Sequence, residues 1–273
     1  MTTTVSTKGL DWFILLTKNA SPIQTPVPTI RAADIDLAGQ QVSLVVVTPD
    51  SHNLYPRARQ GEMGLLEGYG LASVIQNIIA LDIHATHKRP IIALVDVPSQ
   101  VYGRREELFG IHQALAAAVD AYAQARLAGH PVVSLLVGKA MSGAFLAHGY
   151  QAHHIIALDD EGVMVHAMGK ESAARITLRS IDELEKLAAD IPPMAYDIRS
   201  YQSLGLVNEL LSISDINQPS EQDVQVVKDS LVRAIDKIQN GQITEPLCVN
   251  RLSAANRAAS KRVRELLHSQ WHD

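Results

Sequence analysis

The sequence predicts an α/β fold with a largely parallel sheet, and three observations carry that expectation. Short apolar runs rich in β-branched residues, at 41–48, 91–97, 132–137, 155–158 and 163–166, alternate with stretches whose apolar residues recur at helical spacing. Pro49, Pro98 and Gly138 close the first three runs, as turn residues close buried strands. The chain has 273 residues, 47% of them hydrophobic and 19% charged, enough to bury a core without disulfide or metal staples.

Each element follows in order. Residues 1–30 combine an apolar patch at 12–16 with Pro22, Pro26 and Pro28, and read as an extended arm that packs on a partner. The domain proper, 31–273, opens on the strand 41–48. A helix is expected within 62–86, where Leu65, Leu66, Leu71, Val74, Ile75, Ile78, Ile79 and Ile83 share the helical period. Strand 91–97 leads to an alanine-rich helix, 104–126, stopped by Gly129 and Pro131. Strand 132–137 meets a turn and a helix at 143–149. Strands 155–158 and 163–166 precede helices at 172–179 and 181–189, and 206–211 is one further short strand. Two terminal helices, 221–240 and 251–269, are expected outside the core.

Charge and cysteine content exclude several functions. With 24 basic and 29 acidic residues the net charge is -5, so general attraction to nucleic acid or an anionic membrane is not expected. A single cysteine, Cys248, forms no internal disulfide or multi-thiolate metal site and fits a reducing, cytoplasmic setting. The first residues carry no export-signal pattern, and the apolar runs are shorter than a membrane span.

The stretch 136–145 is the most informative. A buried strand runs into a tight turn that opens a helix, and such a turn aims backbone N–H groups at one point, where an enolate, thioester oxyanion or carboxylate can sit. Gly143 permits close approach and Ala144 leaves the pocket open. A plain packing turn accounts for the same small residues.

Several blocks occur together in a familiar order: Gly61-Glu62-Met63-Gly64, Leu94-Val95-Asp96-Val97-Pro98, Tyr102-Gly103 with Glu107, Gly110-Ile111, Lys139-Ala140-Met141-Ser142-Gly143-Ala144-Phe145, and Val165-His166-Ala167-Met168-Gly169-Lys170. In this order, over 61–178, the chain resembles the carboxyltransferase branch of the crotonase superfamily, on the side of the C-terminal half of acyl-CoA carboxylases. That resemblance implies a crotonase-like (ClpP/crotonase) fold of repeated ββα units with peripheral terminal helices. Two departures stand out. Met141-Ser142 replaces the family's aromatic-Gly before Gly143-Ala144, and Ser99-Gln100 follows Pro98 where glycine is usual. Both point away from biotin handling, and the short C-terminal-type half looks most like the gamma subunits of biotin-independent malonate decarboxylases. The resemblance implies a beta-subunit partner of related fold, an acyl carrier subunit bearing a phosphopantetheine-type arm, an acyl carrier transferase subunit, and no cofactor bound by this chain. On that footing the Gly143 and Ala144 amides are expected to bind an oxyanion or carboxylate, with Ser142 lining the pocket and Met141 contacting substrate; His166, after a strand near the Gly143 turn, is expected either to contact substrate or to serve packing alone.

Other readings stay open at this level. Ser142 with His166 suggests a serine hydrolase, since the Clp protease subunit shares the fold, yet alignment on Gly143-Ala144 puts Met141 at the nucleophile position. The pairs His153-His154 and His84/His87 suggest a metal, but lack an acidic or thiolate partner at diagnostic spacing. Glu106-Glu107 could serve acid–base chemistry or merely offset a helix dipole. The last helix, with Arg251, Arg257, Lys261, Arg262 and Arg264 beside Leu252, Val263, Leu266 and Leu267, could dock an anionic carrier. A noncatalytic scaffold and a biotin-dependent carboxyltransferase subunit are the alternative roles.

Overall fold

The computed structural model describes residues 5–18, 20–243 and 248–271, with backbone alone at 248–250. Met1–Thr4 and Asn19 of the expected arm, and the Cys248 side chain, lie outside the described residues. In chain order the elements are α1 (Lys8–Leu16), β1 (Ser21–Ile23), β2 (Ile30–Leu37), β3 (Gln40–Val47), α2 (Leu65–Leu81), β4 (Ile91–Val97), α3 (Arg104–Leu108) and α4 (Ile111–Leu127). They continue with β5 (Val132–Met141), α5 (Ser142–Ala147), β6 (His154–Leu158), β7 (Met164–His166), α6 (Lys170–Thr177), α7 (Ile181–Asp190), α8 (Ile198–Ser203), β8 (Glu209–Leu211), α9 (Glu221–Gln239), α10 (Cys248–Ser253) and α11 (Ala258–Gln270).

Among the described residues, eight strands form one sheet in the order β1-β2-β3-β4-β5-β6-β8, with β7 pairing the far end of β5. From β3 to β8 the pairing is parallel, while β1, β2 and β3 are antiparallel. Every residue of β4 is buried, so helices cover both faces of the sheet, which is why these strands read as unbroken apolar runs. The parallel α/β expectation is thus met. The hairpin β2–β3, which the sequence reading missed, turns on Ala38 and Gly39, both at positive φ, the conformation a two-residue hairpin requires.

Several boundaries differ from expectation. The strand expected to close at Gly138 runs on through it to Met141, because Lys139–Met141 pair with β7. The arm is a helix over Lys8–Leu16 rather than extended: Trp12, Phe13 and Leu16 form one buried face, and Trp12 Nε1 donates to the Ile216 carbonyl at 3.2 Å. The prolines that suggested an arm lie in β1 and the loop behind it. The helix expected at 104–126 breaks at Gly110, whose φ of 79° no helix interior accepts. The helix expected across 62–86 ends at Leu81, so His84 and His87 fall in exposed chain beyond it and share no helical face. Finally α9 belongs to the core, because Val227, Leu231, Ala234 and Ile235 form a buried stripe against α1, β5 and β6. No residue of α11 is buried, and that helix does lie outside.

Two buried carboxylates tie loops to the frame. Glu67 accepts from the Thr29 hydroxyl, the Asn53 amide and the Gly64 N–H, holding the loop before α2. Asp96 accepts from the Ser6 hydroxyl and the Gly9 N–H at the start of α1, and from the Lys139 N–H of β5. The second set links the N-terminal helix directly to the end of β5, where the site forms.

Candidate functional site

β5 ends at Met141, and the chain turns into α5 through Ser142, held at a φ of 61°. For a residue with a Cβ this left-handed conformation costs on the order of 1 kcal/mol and persists only where surroundings enforce it. Here the Ser142 hydroxyl is 3.0 Å from the Tyr102 hydroxyl, and the next amide, Gly143 N–H, donates to Gln100 Oε1 at 3.1 Å. A Cβ on Gly143 would sit 2.1 Å from that same oxygen, so glycine is what lets the Gln100 amide come so near. Ala144 is wholly buried and Met141 nearly so.

β7 runs beside this turn and pairs Met141 with His166. The His166 ring stacks on Tyr196 with centroids 3.9 Å apart and planes 12° from parallel, and its Nδ1 lies within hydrogen-bonding distance of the Met168 N–H and carbonyl. Burial holds the imidazole below its usual pKa, so it is neutral at pH 7, with Nε2 facing away from the Met168 contacts. All five candidates from the sequence therefore gather at one end of β5: Met141, Ser142, Gly143 and Ala144 on the turn and His166 on the adjoining strand. The structure does not join Ser142 to His166. The hydroxyl pairs with Tyr102, so the serine–histidine dyad of a hydrolase is not formed among the described residues.

A cleft of about 390 Å³ opens beside the turn, lined among others by Arg57, Pro98, Tyr102, Lys139, Met141 and Tyr196. Its charges are mostly neutralised: Arg57 binds Glu62 through two nitrogens and lies 5.2 Å over the Tyr102 ring, and Lys170 pairs with Glu185 at 2.7 Å. The Glu62 bond and charge push the Arg57 pKa above its usual value despite partial burial. Lys139 has no acidic partner among the described residues, leaving its cation for a ligand anion. A second hollow of about 350 Å³ shares Lys170 and Tyr196 and extends the groove over α7.

Gln100, Tyr102, Lys139 and Tyr196 received no role from the sequence. The departure at Ser99-Gln100 was the available signal, a long polar side chain standing where the family carries glycine. Tyr196 sits in an irregular stretch that no periodicity marks.

The remaining candidates separate from this cleft. His153 Nδ1 accepts from the Val132 N–H, His154 is buried in β6, and burial pushes both down to about 4. Among the described residues no group of three or more His, Cys, Asp or Glu is placed to hold a metal ion. Glu106 is buried against Gly103 at the start of its own helix, and Glu107 is exposed. At the far end, α10 and α11 frame a groove of about 540 Å³ lined by Arg251, Arg257, Lys261 and Arg264 and, among the described residues, by no carboxylate. Arg251 donates to the Tyr150 hydroxyl and Arg257 to the Leu204 carbonyl, both neutral acceptors. Burial, then the neighbouring Arg251, lowers the Arg257 pKa. Among the described residues no helix is long and apolar enough to cross a membrane.

A family model for the malonate decarboxylase gamma subunit matches residues 58–271. The chain is 39% identical over 164 residues to the malonyl-S-ACP:biotin-protein carboxyltransferase MADD of Malonomonas rubra, an alignment taking in 59% of this chain and only 56% of that protein's length. Among solved structures it resembles a chain of the Pseudomonas malonate decarboxylase hetero-tetramer in complex with coenzyme A, at 57% identity and a TM-score of 0.89, over 97% of this chain and 99% of that one. In the MdcD–MdcE hetero-dimer of the Pseudomonas enzyme the values are 54% and 0.85 over the same shares. Transcarboxylase 12S, at 16% identity and a TM-score of 0.65 over 86% of this chain and 42% of that one, shares the crotonase-like carboxyltransferase fold.

Proposed function

Because the chain belongs to the malonate decarboxylase gamma subunit family, we propose that with a beta subunit of related fold it forms the site that decarboxylates a malonyl thioester carried on an acyl carrier subunit, leaving the acetyl thioester and carbon dioxide. The observation that carries this reading is the strained turn at Ser142–Gly143 beside a cleft in which Lys139 has no acidic partner among the described residues. In the reaction the bond between the carboxylate carbon and the α-carbon breaks, its electron pair moves into the thioester as an enolate, and a proton then closes the α-carbon. Fixed N–H donors on the partner's half-site stabilise the enolate more than the starting thioester. This chain orients the leaving carboxylate. In this reading the Ser142 hydroxyl and the amides of Gly143, once vacated, and Ala144 are the groups that hold it, Lys139 and Met141 meet it from the cleft lining, and His166 stands on the strand paired beside the turn. A neutral His166 suits that place, since it adds no second cation to hold the carboxylate back.

The reading extends to partners. The acyl carrier, with its phosphopantetheine-type arm and its transferase subunit, completes a cytoplasmic assembly, and the carrier docks on the basic groove of α10 and α11. Reversing charge there, with Lys261→Glu and Arg262→Glu together, is expected to raise KM for the carrier thioester at least tenfold while kcat holds; unchanged carrier affinity removes the docking role.

A biotin-dependent carboxyltransferase subunit is the second reading, favoured by the likeness to the Malonomonas protein. One experiment tests both, by measuring carbon dioxide release from the malonyl carrier thioester with this chain alone, the beta subunit alone, and the mixture, each with and without avidin. Release by the mixture only, insensitive to avidin, is expected. Activity of the beta subunit alone reduces this chain to a scaffold, and inhibition by avidin supports the biotin reading.

A further inference from the structure

The Gly143 N–H at the head of the turn is already occupied, because Gln100 Oε1 accepts from it. The backbone that carries Gln100 is pinned: Met63 N–H donates to the Ser99 carbonyl and Val101 N–H to the Met63 carbonyl, both at 2.9 Å. The side chain is not. It is half-buried, and the Gly143 contact is its one hydrogen bond among the described residues, so it can swing away while its loop stays in place. We propose that Gln100 is the resident acceptor of this turn: it caps the Gly143 N–H while the site is empty, yields it to the substrate carboxylate, and takes it back as carbon dioxide leaves. This rests on the reading above that the carboxylate is held at Ser142–Ala144.

Physical chemistry gives the exchange its direction at each stage. In the empty site a partly buried N–H without a partner is costly, and the neutral glutamine oxygen satisfies it. A carboxylate displaces that oxygen because a charge-assisted hydrogen bond is about twice as strong as a neutral one. As the carbon–carbon bond breaks, its electron pair stays with the acetyl fragment, and the departing carbon dioxide is uncharged and a poor acceptor. An N–H that gripped the carboxylate without competition would stabilise the starting state more than the transition state, and so slow the reaction. Gln100 opposes that grip and supplies a replacement acceptor as the charge drains away. No proton or electron passes to the glutamine.

The test is steady-state decarboxylation of malonyl carrier thioester by the assembled complex bearing Gln100→Ala, or Gln100→Asn, whose amide is one methylene too short to reach Gly143. Both variants are expected to lower KM and kcat together, each about two- to tenfold, with kcat/KM held within about threefold. Gln100→Glu sets an anion against the incoming carboxylate and is expected to raise KM at least tenfold. Inhibition by the acetyl thioester, which has no carboxylate to place at the turn, is expected to stay within about twofold. General damage to the site raises KM, so the direction of KM separates the two causes. A KM that rises or stays unchanged in both the alanine and asparagine variants overturns the proposal while leaving the decarboxylase reading intact; failure of the unmodified complex to release carbon dioxide overturns the decarboxylase reading and the role of Gln100 with it.

Discussion

At the scale of single residues, Ser142 concentrates the strain of the site. A glycine there would reach the same backbone conformation freely, so the serine is kept at the expense of local backbone energy, and its hydroxyl is the group that gains from being aimed. Replacing it with alanine preserves the Cβ and its strain but removes the donor. Ser142→Ala is therefore expected to raise KM for malonyl thioester by about ten- to a hundredfold, the range for a hydrogen bond to a charged group, without lowering kcat. Its unfolding midpoint in urea is expected to stay near that of the unmodified protein, since Tyr102, the hydroxyl's partner, is solvent-exposed. The sequence singled out Ser142, Gly143 and Ala144 because small residues after a buried strand are a local signal. It passed over Gln100 and Tyr102 because their roles exist only once the loop after β4 folds across the turn.

At the scale of elements, α1 shows how an N-terminal segment becomes part of the site's foundation. Its first turn binds Asp96, Asp96 binds the Lys139 N–H, and Trp12 fills the space between α1 and the rest of the core with none of its surface exposed. Trp12→Ala is expected to cost about 3–5 kcal/mol, read from urea unfolding followed by far-UV circular dichroism. Because α1 is coupled to β5 through Asp96, turnover is expected to fall in the same variant even under conditions where it remains folded. A segment with three prolines close behind it reads as an arm, since periodicity over nine residues is too short to outweigh them; what makes it a helix is a docking face supplied by β3, β4 and β5.

At the scale of the whole molecule, buried histidines set the response to acid. His148 is fully buried, its Nε2–H donating to the Leu94 carbonyl at 2.9 Å and its Nδ1 accepting from the Tyr122 hydroxyl at 3.0 Å, and burial pushes its pKa down to about 4. Well above pH 6.5 the ring is neutral in the folded and unfolded chain alike and pH has no effect through it. Below that value the unfolded chain takes up a proton that the folded one refuses, so stability falls by up to about 1.4 kcal/mol per pH unit until the folded ring also titrates. His153 and His154 act in the same direction. Urea midpoints are expected to drop between pH 6.5 and pH 4, with a shallower slope in His148→Gln whatever that variant's starting stability.

Local patterns in the sequence determined the class of fold, the parallel strands and the turn at the end of β5, because strand burial, helical period and small residues at a turn are each written within a few positions of one another. The ordered blocks over 61–178 added the family. Only the tertiary structure decided that α1 and α9 belong to the core, that Ser142 faces Tyr102 rather than His166, and that Gln100 lies on the Gly143 amide. The physical reason is the same in each case. These contacts join residues far apart in the chain, and their energies exist only after the sheet has brought both partners to one place.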